Sequence, residues 1–179
     1  MIVITNDPNF WKDAYQDKWD VSSDREETVK RMIVEQGFEV KSIGFGACSE
    51  DYLSGKPEKY GYKKADPDLL VKDTNTHLEV TGTDVESVKR SDDIWVRPDK
   101  VRKIIKNQEM DLWIVHSIDH ENLLRCIHMT EERAKELDTE DRIVHPYIRG
   151  NKETYISISS DEDYIEPVGS LFEHLENKI

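Results

Sequence analysis

An α/β fold with a central sheet and a C-terminal α/β extension is what this 179-residue sequence predicts, and three observations carry that expectation. Ser23 and Glu26 have capping-box spacing, and the apolar Val29, Met32, Ile33 and Val34 that follow give one face of a helix. Residues 66–83 hold two β-rich runs joined by the polar Asp73-Thr74-Asn75-Thr76, the pattern of a hairpin. Residues 110–118 and 122–129 are nearly continuous in apolar residues, as expected of consecutive strands buried on both faces.

In chain order, a short strand is expected at 2–5, followed by an aromatic segment with Trp11, Tyr15 and Trp19 to which no role attaches. The helix that Ser23 opens should run to about residue 36, where Gly37 is placed to end it. A strand at 38–45 precedes a loop at 46–65 with a short helical turn near 51–53; loops of that length beside a site shape substrate access. After the hairpin comes a strand stub at 94–96, and Pro98 suits the first turn of a helix to about 107, with Val101, Ile104 and Ile105 inward. Thr130 should cap a helix to about 137. Strands near 143–148 and 153–159 and a helix at 168–176 form the extension, expected to pack on the same sheet. One domain is predicted: a core at 23–129, an N-terminal segment at 1–22 and the extension at 130–179.

Charged residues make up 35% and mean hydropathy is −0.74, yet aromatic and aliphatic residues recur throughout, which argues for a folded chain. No apolar run approaches the length of a membrane span. Cys48 and Cys126 lack CxxC spacing, so neither a disulfide framework nor a zinc cluster is indicated, and a soluble cytoplasmic protein is expected. The six histidines show no paired-ligand spacing. The net charge of −13 argues against a generic polyanion binder.

The hairpin carries the candidate chemistry. With its turn centred between Thr74 and Asn75, Asp68 lies opposite Thr81 and diagonal to Glu79, on one sheet face. Two facing carboxylates repel, and hard oxygen ligands suit Mg²⁺ or Mn²⁺. The plainer readings are that Asp68 after Pro67 is a turn residue and that Glu26 is the local partner of its own helix cap. Downstream, Lys89, Arg90, Arg97, Lys100, Arg102, Lys103 and Lys106 form a basic run, either a solvated helix face or a set of phosphate contacts.

The order helix, strand, strand, strand, helix, strand with Pro67-Asp68, Glu79-Val80-Thr81, Glu26 and the 93–96 stretch resembles the PD-(D/E)XK, or restriction-endonuclease-like, nuclease fold, most nearly the archaeal-type Holliday-junction resolvases. The resemblance covers about residues 23–129 and implies an αβββαβ core with a mixed central sheet. It implies a metal-dependent nuclease that hydrolyses DNA, structured or branched DNA included. Asp68, Glu79 and the Val80 carbonyl would then be metal ligands, with Glu26 a third acidic group beside them. Lys89, Arg90, Lys100 and Lys103 would contact substrate phosphates. Thr81 stands where the family places a lysine; it can hold a water but supplies no positive charge. A second metal or a lysine from another element, Lys89 or Lys103, would have to replace it. Two further expectations stand beside this one: a nuclease-fold module that has lost catalysis, and an acidic surface at Asp161, Glu162 and Asp163 that binds a protein partner. A nuclease cutting two strands would act as a homodimer.

Overall fold

The computed structural model describes residues 8–43 and 66–179, with side chains from residue 21 onward. The expected strand at 2–5, the end of the strand at 38–45 and the loop at 46–65 lie outside the described residues. Among the described residues four α-helices are seen: α1 (Pro8–Glu35), α2 (Pro98–Lys106), α3 (Glu131–Leu137) and α4 (Val168–Glu176). The strands are β1 (Val40–Ser42), β2 (Leu69–Val71), β3 (Thr76–Thr83), β4 (Ile94–Val96), β5 (Asp111–Ile118), β6 (Leu123–Met129), β7 (Ile143–Val144), β8 (Tyr147–Ile148), β9 (Asn151–Lys152) and β10 (Tyr155–Ile158). None of the described helices is long and apolar enough to cross a membrane.

The main sheet has the order β1-β2-β3-β5-β6 and is mixed. Strands β1, β2 and β3 are joined antiparallel, β3 and β5 run parallel across eight residue pairs, and β5–β6 is antiparallel. A parallel pair needs a crossover, and β4 with α2 lies in the chain between its two strands. Successive side chains of a strand point to opposite faces, so the sheet separates two cores. On one face, Leu78, Trp113, Val115 and Cys126 pack with Val29 and Ile33 of α1 and Leu171 and Leu175 of α4. On the other, Leu112, Ile114, Ile127 and Met129 pack with Val101 and Ile104 of α2 and Ala134 and Leu137 of α3.

Several boundaries differ from the sequence expectation. Ser23 is not a cap: α1 begins at Pro8, so Glu26 lies mid-helix and its capping-box role does not apply. The Ser-x-x-Glu signal is local, whereas residues upstream already continue the helix. Val34 is 51% exposed, because Val29 and Ile33, four apart, supply the inward stripe. Gly37 ends α1 with φ of +92°, the left-handed conformation that a glycine adopts at little cost. Thr130 does cap α3, its hydroxyl accepting from the Arg133 N–H at 3.2 Å. The extension is divided: α4 covers the main sheet, but β10 pairs with β4 and β7 in a second sheet of three strands. Alternation along β10 buries Ile156 and Ile158 toward α2 and α3, where Ile94 and Val96 of β4 meet them.

Candidate active site

The hairpin register brings the two acids closer than the sequence implied. Leu69 pairs with Leu78, Leu70 with His77 and Val71 with Thr76, so the turn centres between Asp73 and Thr74. It is built from a 3₁₀ turn over Lys72–Thr74 followed by Asn75 in the left-handed region, a residue type that tolerates it. The β5–β6 connection repeats the device with Asp119–Glu121 and Asn122. Continuing the register places Asp68 directly across from Glu79 rather than diagonal to it. The Asp68 N–H donates to the Leu78 carbonyl at 3.0 Å, and Asp68 Oδ2 accepts from the Val80 N–H at 2.9 Å.

Both carboxylates are nearly out of solvent, Asp68 at 8% and Glu79 at 7% exposure. The cation beside them is Lys100. Its Nζ donates to Glu79 Oε2 at 2.8 Å and to the Asp66 carbonyl at 3.0 Å, and the residue is 8% exposed. Lys100 sits in the first turn of α2, on the side that buries Val101 and Ile104, so the helix delivers it to the Glu79 face of the sheet. Burial pushes the Asp68 carboxyl above the usual carboxylate range, with Lys100 and the Val80 N–H opposing. Burial and then Asp68 itself push Glu79 up strongly, against Lys100. For Lys100, burial favours the neutral amine, but Glu79 and Asp68 outweigh it and hold the ammonium above the ordinary lysine value. Two buried carboxylates facing one ammonium leave an excess negative charge that a divalent ion or a shared proton would offset.

Of the lysines expected near the pair, Lys100 is the one whose ammonium reaches Glu79. Lys103 pairs with Asp66, and Lys89 lies 3.7 Å from Glu121 on an exposed edge. Lys100, expected among the exposed phosphate contacts, is inside. Elsewhere on the basic run Arg97 pairs with Asp99, and Arg102 forms a bidentate pair with Asp138. Arg90 keeps an exposed side chain, while its carbonyl accepts from the buried Arg125 at 3.0 Å. Lys89 and Arg90 line a shallow cavity of about 430 Å³ that Asp161 also lines, so the acidic stretch meets the basic run there.

Glu26 is carried on α1 and is 4% exposed. Its neighbour Arg25 anchors the helix to the sheet end through Asp119, with Nε at 3.0 and 2.9 Å and Nη2 at 2.6 Å from the carboxylate oxygens. Gly82 makes this approach possible: a Cβ there would lie 2.5 Å from the Ser117 carbonyl oxygen and 3.0 Å from Arg25 Nε. Thr81 is half-buried and opposite His116 in the parallel ladder. His116 is held neutral by burial and by Arg125 and Arg25, its pKa pushed down to about 3. A cavity of about 940 Å³ opens beside α1, lined by Arg25, Arg31, Ser117 and Asp119, but not by Asp68, Glu79 or Lys100.

Asp68 and Glu79 therefore form a pair with Lys100, and their hard oxygen donors fit Mg²⁺ or Mn²⁺. Glu26 does not complete with them a trio whose ligand atoms all lie within 4.8 Å. Among the described residues that spacing occurs once for His, Cys, Asp and Glu, at Asp111, His128 and His174. Sequence spacing gave no hint of this second group, because its members are spread over three distant segments. No family model matches this chain, and no curated protein matches it.

Proposed function

We propose that this protein is a divalent-metal-dependent nuclease of the PD-(D/E)XK, restriction-endonuclease-like kind, hydrolysing DNA phosphodiester bonds, with structured or branched DNA among its substrates. The observation that carries the reading is the buried Asp68–Glu79–Lys100 constellation, in which a lysine from α2 supplies the charge that Thr81 lacks. Among the described residues the order α1-β1-β2-β3-β4-α2-β5, with β3, which carries Glu79, parallel to β5, supports it. Asp68, Glu79 and the Val80 carbonyl would hold Mg²⁺ or Mn²⁺, which when bound would polarise the scissile phosphate and acidify a water. Lys100 offsets charge on the phosphate as the leaving oxygen departs, and Thr81 orients the water through its hydroxyl. Glu26, whose helix α1 packs on the opposite face of the sheet, takes no ligand position in this proposal.

Incubating the purified protein with Mg²⁺ or Mn²⁺ and linear, flapped and four-way DNA tests this reading. Cleavage abolished by Asp68→Ala and Lys100→Met is expected; cleavage that survives both, or none on any substrate, overturns it.

One observation favours a second reading, a catalytically degenerate nucleic-acid- or protein-binding module. Lys100 already neutralises Glu79, and Arg97, Arg102 and Lys103 of the basic run are engaged by Asp99, Asp138 and Asp66. Calorimetric titration with Mn²⁺ separates the two. A saturable site lost in Glu79→Ala supports the enzyme, and its absence supports the module.

A further inference from the structure

We infer that Asp111, His128 and His174 form a second metal site, of the zinc class, that pins α4 to the main sheet. Asp111 opens β5, His128 lies in β6 and His174 in the last turn of α4. The Nε2 atoms of the two histidines approach the two oxygens of one carboxylate, His128 to Oδ1 at 2.9 Å and His174 to Oδ2 at 2.9 Å. All three ligand atoms lie within 4.8 Å of one another, and all three residues are partly buried.

The surroundings orient the ligands as supporting groups of a metal site do. The Thr76 hydroxyl donates to Asp111 Oδ2 at 2.6 Å and fixes the carboxylate. The Trp113 ring stacks on His128 at 4.9 Å with 10° between planes, and lies 5.2 Å from His174. Lys178 also reaches Asp111. It is an exposed side chain beyond the end of α4, so an incoming cation can displace its ammonium while leaving the buried framework in place.

Donor chemistry selects the ion. Two imidazoles and one carboxylate favour a late first-row divalent metal over Mg²⁺, and three protein ligands leave a fourth tetrahedral position for water. The pair Asp68–Glu79 is all-oxygen and belongs to the opposite face of the sheet, so the two sites differ in both place and preference. His174 lies between Leu171 and Leu175, the residues that seat α4 on the core. Metal occupancy would therefore set how firmly that helix is held.

Chelator-treated full-length protein titrated with Co²⁺ and Zn²⁺ tests the site. Saturable Co²⁺ uptake with a visible d–d band, displaced by Zn²⁺, and a Zn²⁺-dependent rise in Tm are expected. Both should vanish in His128→Asn and His174→Asn and persist in Glu79→Gln, which separates this site from the proposed nuclease centre. Thr76→Val, which leaves all three ligands in place, should weaken Zn²⁺ binding roughly 10- to 100-fold. Absence of uptake by the folded chain, or uptake unchanged in His174→Asn, overturns the inference in favour of a hydrogen-bonded cluster alone.

Discussion

Lys100 shows how one side chain decides the character of a site. Removing it as Lys100→Met leaves Asp68 and Glu79 buried without a counter-charge, a change of the kind that destabilises by about 3–5 kcal/mol. The double variant Lys100→Met/Glu79→Gln should recover much of that loss, and Mn²⁺ should raise the Tm of the single variant more than that of the wild type. Denaturant unfolding of the three proteins checks this; a single variant as stable as wild type would remove the charge argument. His116 sets a pH dependence. It stays neutral in the fold down to about 3, whereas the unfolded chain takes up a proton below roughly 6.5. The unfolded state therefore binds more protons in that window, and stability falls as pH drops from about 6.5 toward 3. In His116→Gln the decline between pH 6.5 and 4.5 should be shallower, as read by unfolding midpoints. At this scale the carboxylate pair was legible, because Asp68 and Glu79 share one hairpin. The lysine was not, since choosing among Lys89, Lys100 and Lys103 requires the rotation of α2 on the sheet; the inward Val101 and Ile104 beside Lys100 were the available clue.

The elements were legible where a local signal agreed with the packing, as for Pro98 at the start of α2 and Thr130 capping α3. They were obscured where a local signal was overridden, as at Ser23, or where a partner strand is remote, as for β4 and β10. Strand β3 meets β5 so closely at Gly82 that Gly82→Ala should destabilise by about 1–3 kcal/mol through overpacking against Ser117, and should loosen the Arg25–Asp119 anchor of α1. Thermal melts check it, and an unchanged Tm would show that the strands can separate at no cost. Helix α4 depends on Leu171, which is fully buried against the main sheet. Leu171→Ala should cost about 2–5 kcal/mol by opening a cavity, with proteolysis expected first near residue 167. An intact fragment pattern under limited proteolysis would argue against α4 as the weakly held element.

Across the whole molecule, the net charge of −13 and the pairing of Arg97, Arg102 and Lys103 with carboxylates mean that the proposed nuclease would draw its affinity for DNA phosphates largely from a bound cation. The main sheet separates the two cores, and its central joint is the parallel β3–β5 pair. That joint also has a kinetic meaning. The hairpin of β2 and β3 closes locally, but Glu79 meets Lys100 only once the chain from 84 to 110 has looped over and β5 has docked. Non-local parallel pairing is slow because loop entropy is lost before contacts form. In refolding, the helical far-ultraviolet signal should therefore return before Mn²⁺ uptake at Asp68 and Glu79 does, and simultaneous recovery of both would count against this order. Until the crossover closes, neither acid is forced out of water, so the folding chain buries this carboxylate pair only when the lysine that relieves it arrives.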